Sequence, residues 1–197
     1  LDAIQDYYYE QGWTDGLPVV PATEELVRRM LAGSTGAPND SLGIIQPRNA
    51  RVTLEKIAIN AVMAGCRPEY FPVVVAAVKA MLQDEFNVAG VSSTTGGATP
   101  AVIVNGPIAK KLDINSGYNC FGQGWRANAT IGRAMRLILM NACAAEPGLF
   151  DRSVIGHPGK YTYCIAEAET ETHWTPLHVE RGFSPEQSAV TVFASES

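Results

Sequence analysis

Residues 53–82 read TLEKIAINAVMAGCRPEYFPVVVAAVKAML. Thr53 is a side-chain acceptor placed just before an apolar-periodic run, so it predicts a helix N-cap, with Leu54, Ile57, Ala61 and Met63 among the apolar positions that follow. Gly65 ends that helix, because glycine enters the left-handed conformation of a helix terminus without steric cost. A second helix covers PVVVAAVKAML, where Pro72 is tolerated because it falls in the first turn. Val73, Val74, Val75, Ala76, Ala77 and Val78 make this helix apolar all round, the pattern of a buried helix. Two apolar helices meeting at a corner, AGCRPEY, therefore stand at the centre of the fold.

On the N-terminal side, residues 1–11 predict a short amphipathic helix with Ile4, Tyr7 and Tyr8 near one face, ended at Gly12. GWTDGLPVVP reads as turns around an extended piece, since Gly16, Pro18 and Pro21 all oppose helix. Thr23 caps a helix that reaches about Gly33, with Glu24 and Glu25 in its first turn where acidic groups suit the dipole. After a loop over residues 33–41, SLGIIQP predicts a short strand.

On the C-terminal side, NVAGVSST and PAVIVNG are rich in β-branched residues and predict two strands joined by TTGGAT. Gly117, Gly122 and Gly124 form a glycine-rich stretch leading into a helix, ATIGRAMRLILMNACAA, closed by Pro147 and Gly148. KYTYCIAE and SAVTVFAS complete the strands. The fold class expected is α/β or α+β: one domain over residues 1–197, a mixed sheet packed with apolar helices, and residues 1–40 as a helical and extended arm on the core. INAVMAGCRPE and LILMNACAAEP both end an apolar helix in Cys and a Glu/Pro turn, a weak sign of internal duplication.

Composition narrows the function. The 197 residues are 46% hydrophobic and 18% charged, with no apolar run of the roughly 18 residues a membrane helix needs, so a water-soluble chain with no membrane partner is expected. Net charge is −5 and no Lys/Arg stripe could follow a phosphate backbone, which argues against nucleic acid. Cys66, Cys120, Cys143 and Cys164 lie far apart without CxxC spacing, so free thiols in a cytoplasmic setting are expected rather than disulfides. The chain begins at Leu1 rather than Met, and LDAIQDYYYEQG lacks the basic and apolar regions of a secretory signal.

The first candidate for chemistry is Cys66. It follows one helix and precedes another, where helix amides and Arg67 favour the thiolate, and Glu69 could orient Arg67 or accept a proton. The competing reading is a small buried hydrophobe at a helix junction. GYNCFGQGWRANATIGRA places Arg126, with Asn119 and Asn128, before a helix whose cap is Asn128 or Thr130, an arrangement suited to a carboxylate or phosphate. His157, Lys160 and Tyr161 lie in a turn before a strand. His178 and Glu180 share one face if PLHVERGF is extended, with Arg181 beside them. His157 and His178 are the candidate general bases; His173 belongs to the surface. No P-loop, GxGxxG, GxSxG, HxxxH or CxxC string is present, so no nucleotide, metal or other cofactor is indicated and no metal ligand is assigned.

Several segments together resemble an uncharacterised bacterial family: QGWTDGLPVVPAT at 11–23, INAVMAGCRPEYFPVV from residue 59, VNGPI at 104–108, INSG at 114–117, GWRANATIGRA at 124–134, GHPGKYTYCIAE at 156–167 and PLHVERGF at 176–183. They span nearly the whole chain. The family is loosely associated with thiol or selenol proteins bearing a UGSC motif, but this sequence holds no UGSC or CGSC string and receives no catalytic residue from that association. In the family pattern Cys66 belongs to the motif, whereas Cys120 sits in a variable segment.

Three functions compete. The favoured one is an enzyme acting on a small anionic organic molecule with Cys66 as nucleophile or redox group, Arg67 and Arg126 on the anion and a histidine moving protons; the class would be lyase, hydrolase or oxidoreductase. The second is a hydrolase or lyase whose acid–base residues are Glu69, His157, Lys160 and Glu180, with Cys66 structural. The third is a non-catalytic ligand-binding or assembly domain, working as a homo-oligomer or with a partner subunit. Convergence of Cys66, Arg126, His157 and His178 on one cleft would support a single site.

Overall fold

The computed structural model describes residues 2–45 and 49–196. The helices α3 (Leu54–Ala64) and α4 (Phe71–Met81) form at the positions the sequence predicts. Thr53 caps α3 by accepting from the Lys56 amide at 3.3 Å. Gly65 closes it at φ 87°, and the next amide, of Cys66, donates back to the Ala61 carbonyl at 3.0 Å. Pro72 lies in the first turn of α4, and Val73, Val74, Val75, Ala77 and Val78 are all buried, as the all-round apolar pattern demands.

The remaining helices among the described residues are α1 (Asp2–Glu10), α2 (Glu24–Leu31), α5 (Val88–Ser93), α6 (Pro107–Lys111), α7 (Arg126–Cys143) and α8 (Leu177–Glu180). Strands β1 (Ser41–Ile45) and β2 (Ala50–Thr53) form an antiparallel pair. A mixed three-stranded sheet has the order β4 (Cys164–Ala166), β3 (Thr99–Asn105), β5 (Ala189–Ser195), with β3 parallel to β4 and antiparallel to β5. The class is α+β: two small sheets packed with helices. Ile57, Phe71, Val74, Met81, Ile131, Met135, Leu137 and Ile138 are almost wholly excluded from water and join α3, α4 and α7 into one core with Val102 and Val104 of β3.

Residues 2–40 lie against this core. The Gln5 side chain pairs with the Val19 backbone through both its amide atoms, and Val20 donates to the Met63 carbonyl. Asp15 takes a two-pronged contact from Arg133 of α7, both bonds at 2.8 Å. Gly132 lets α7 approach the chain before β4 closely: a Cβ there would lie 2.3 Å from Thr162 Oγ1 and 2.5 Å from the Tyr163 amide.

Three local expectations are corrected. NVAGVSST is not a strand: Asn87 caps α5 by accepting from the Gly90 amide, and the valines give the helix its apolar side. ARVT, unassigned from sequence, pairs with β1. The Gln46–Pro47 end of the strand expected over SLGIIQP lies outside the described residues. The glycine-rich stretch enters α7 earlier than expected, at Arg126, so Asn128 and Thr130 stand inside the helix and cap nothing. PLHVERGF contains helix α8 rather than an extended segment, which buries His178 and leaves Glu180 exposed instead of placing both on one face.

Candidate functional site

The residues singled out from the sequence do not meet in one place. Cys66 and Arg126 come together beside a cleft of about 430 Å³ that also touches Arg67 and Glu69. The thiol is buried and donates to the Thr130 carbonyl at 3.2 Å. Arg126 spends Nε and Nη2 on the Gly65 carbonyl, at 3.2 and 2.9 Å. Burial pushes the Cys66 thiol up from its ordinary 9.0 to about 12, outweighing the Thr130 contact and the pull of Arg126 and Arg133. Loss of hydration disfavours the thiolate more than two nearby guanidinium groups favour it. Cys143 is held up in the same way, to about 12, and Cys164 higher still, both by burial first. All four cysteines are free, and Cys120 is the half-buried one.

His157, Lys160 and Tyr161 reach a different cleft, of about 650 Å³. They arrive on a single turn of tight helix, Pro158–Lys160, that His157 itself caps. His157 Nδ1 accepts from the Gly159 amide at 3.1 Å while Nε2 lies 2.8 Å from the Gly97 carbonyl. A carbonyl only accepts, so the proton is assigned to Nε2 and neither ring nitrogen is left for a substrate. Lys160 instead presents its ammonium to Asp151, at 2.9 Å from Oδ1 and 2.8 Å from Oδ2.

Behind that pair stands a residue the sequence reading passed over. Arg136 of α7 is 8% exposed, donates through Nε to the Lys160 carbonyl at 2.7 Å and through Nη2 to Thr99 Oγ1 at 2.9 Å, and lies 3.4 Å from Asp151 Oδ2. Burial lowers its pKa from the usual arginine value and Asp151 pulls it back. One carboxylate thus faces two cations in the cleft. Asp15 and Thr14 also line it, and the charge of Asp15 is matched by Arg133. The signal was visible: Arg133 and Arg136 interrupt the apolar run GRAMRLILM, and a charge on the buried side of a helix requires a partner.

The other nominated residues go elsewhere. Asn128 pins the glycine-rich loop, accepting from the Asn115 amide at 2.8 Å and donating to the Asn115 and Cys120 carbonyls at 3.0 and 3.2 Å. Asn119 donates to the Gln123 carbonyl within the same loop. Glu180 and Arg181 are exposed around α8. His178 is buried beside Glu169, its Nδ1 3.6 Å from Oε1. No described helix is long and apolar enough to cross a membrane, and among the described residues no group of three or more His, Cys, Asp or Glu could hold a metal ion. No family model, curated protein or solved structure matches the chain.

Proposed function

We propose that this chain is an enzyme acting on a small anionic organic molecule by acid–base chemistry, hydrolytic or eliminative, in the cleft floored by Arg136, Asp151 and Lys160. One observation carries the reading: among the ion pairs of the described residues, Asp151 is the one carboxylate that faces both Arg136 and Lys160, so two cations share one anion inside a cleft wide enough for a metabolite-sized ligand. A carboxylate or phosphate would compete with Asp151 for the Lys160 ammonium. Lys160 is then the group that both holds the anion and moves a proton, and the exposed Tyr161 hydroxyl stands at the rim. Arg136, tied to Thr99 and the Lys160 carbonyl, fixes the backbone from which Lys160 projects.

The thiol reading has one supporting feature, Arg126 beside Cys66, and it predicts a different outcome in the same experiment. Small carboxylic acids and phosphate monoesters are to be screened by ligand-observed NMR, and the binders followed for chemical change. Binding should saturate, weaken at least tenfold in Lys160→Met, and strengthen in Asp151→Asn, where the internal competitor for the cations is gone. Turnover should persist in Cys66→Ser. Unchanged binding in Lys160→Met would sink the cleft assignment. Tight binding without turnover would make the chain a binding module, and turnover lost in a folded Cys66→Ser would return the thiol to the mechanism.

A further inference from the structure

The wall of the Lys160 cleft changes character between its floor and its mouth. Near the floor, Asp151 Oδ1 accepts from the Lys160 ammonium at 2.9 Å and from the Ser153 amide at 3.2 Å, so Lys160 and Ser153 stand side by side on one oxygen. Ser153 lines the cleft, and its hydroxyl is enclosed without a hydrogen-bond partner among the described residues. Enclosed hydroxyls in folded proteins are satisfied almost without exception, and a serine hydroxyl is re-aimed by rotation about a single side-chain bond. The cleft's second carboxylate, Asp15, already has its cation in Arg133. An ammonium and an unspent hydroxyl are thus adjacent donors.

The mouth is apolar. Ile155 is 95% exposed, Tyr9 67% and Tyr161 50%, and all three line the same opening together with Pro147 and Pro158. Exposed apolar side chains scattered singly are ordinary, but several bounding one opening form a patch that a ligand can cover. They come from α1 and from the segment 147–161, which face each other across the cleft lining. A purely charged ligand would leave this mouth wet, and a purely apolar one would leave Lys160 and Ser153 unused.

We propose that the cleft takes a monocarboxylate with a short apolar tail, its head on Lys160 and Ser153 and its tail against Tyr9, Ile155 and Tyr161. This rests on the anion-binding reading of the same cleft and names the substrate class within it. The two oxygens of a carboxylate match the two adjacent donors. A sugar acid would instead set its hydroxyls against three apolar surfaces, losing their hydration for nothing in return.

The test is a titration by ligand-observed NMR with acetate, butyrate and hexanoate, and with 1-hexanol as the uncharged comparison. Affinity should rise along the acid series by roughly two- to threefold per methylene, somewhat below the gain for full burial because the mouth is open. Hexanol should bind at least tenfold more weakly than hexanoate. Tyr9→Asn combined with Ile155→Asn, both at exposed positions, should abolish the gain with length, and Ser153→Ala should weaken hexanoate severalfold. Acids that bind through Lys160 but with equal affinity at every length would overturn the tail assignment and leave the anion cleft standing. A gain with length that survives the double variant would overturn it too. Acids that gain with length but bind Lys160→Met as tightly as the unaltered protein would break the anion reading itself, and the proposal with it. A concentration-dependent dimer dispersed by Ile155→Asn, with no gain along the series, would give the apolar mouth to a second copy of the chain and likewise overturn the proposal.

Discussion

The corner at Cys66 and the cleft at Lys160 are built from the same materials and come out opposite. Each sets a reactive side chain beside an arginine supplied by α7, at its first residue in one case and in its middle in the other. At the corner, Arg126 is spent on the Gly65 carbonyl, the thiol on the Thr130 carbonyl, and burial holds the sulfur neutral. In the cleft, the buried Arg136 keeps its charge against Asp151, and the Lys160 ammonium stays at the surface of a larger opening. The difference lies in what the arginine faces. A carbonyl satisfies a guanidinium without creating reactivity, whereas a carboxylate shared with a lysine leaves charge in place for a ligand.

The largest effect follows from removing Arg136. Arg136→Ala leaves Asp151 with one partner and strands Thr99 Oγ1 and the Lys160 carbonyl, so about 3 kcal/mol of stability should be lost in urea unfolding. Arg126→Ala, whose contacts are exposed and made to a single carbonyl, should cost under about 1 kcal/mol. Equal losses would show that the two arginines are held alike, and the contrast would fail.

The next effect is alkaline. Cys66 and Cys143 are raised in the folded state from 9.0 to about 12, so above pH 9 the unfolded chain sheds thiol protons that the folded chain retains. Their contribution to stability is complete below pH 9 and is lost as pH climbs towards 12. The denaturation midpoint should fall across that window, and the fall should be shallower in Cys66→Ala, Cys143→Ala and their double variant. Lys160→Met should leave the contribution of the thiols untouched. A midpoint that falls equally in the cysteine variants would mean that buried thiols do not set the alkaline limit.

The corner was far more legible in the sequence than the cleft. Thr53, Gly65 and Pro72 are local signals, each fixed by the hydrogen bonds or φ angle of its own turn, and the structure uses all three as read. The cleft depends on contacts over long separations: Arg136 to Thr99, Asp15 to Arg133, Lys160 to Asp151. None of these leaves a spacing to find. VAGVSS misled for a related reason. Its valines carry strand propensity, while the cap that decided the matter, Asn87, is one residue that also suits a loop. His178 was read as sharing a face with Glu180, which holds only for an extended segment, because a four-residue helix has too few turns to show a period.

The smallest expected effect bears most directly on Cys66. Iodoacetamide attacks the thiolate, and a thiol held near 12 offers almost none at pH 8, even with a 430 Å³ cleft beside it. Half-buried Cys120 is the more accessible thiol and should be alkylated first. Peptide mass mapping of the folded protein should therefore show Cys120 labelled at least tenfold faster than Cys66, Cys143 or Cys164, with all four labelled after denaturation. Ligands of the Lys160 cleft should leave the Cys66 rate unchanged, because thiol and lysine line separate openings. Labelling of Cys66 as fast as Cys120 would place a thiolate at the corner despite its burial. Arg126 would then be acting on the sulfur and not only on the Gly65 carbonyl, and the two arginines of α7 would be doing the same thing.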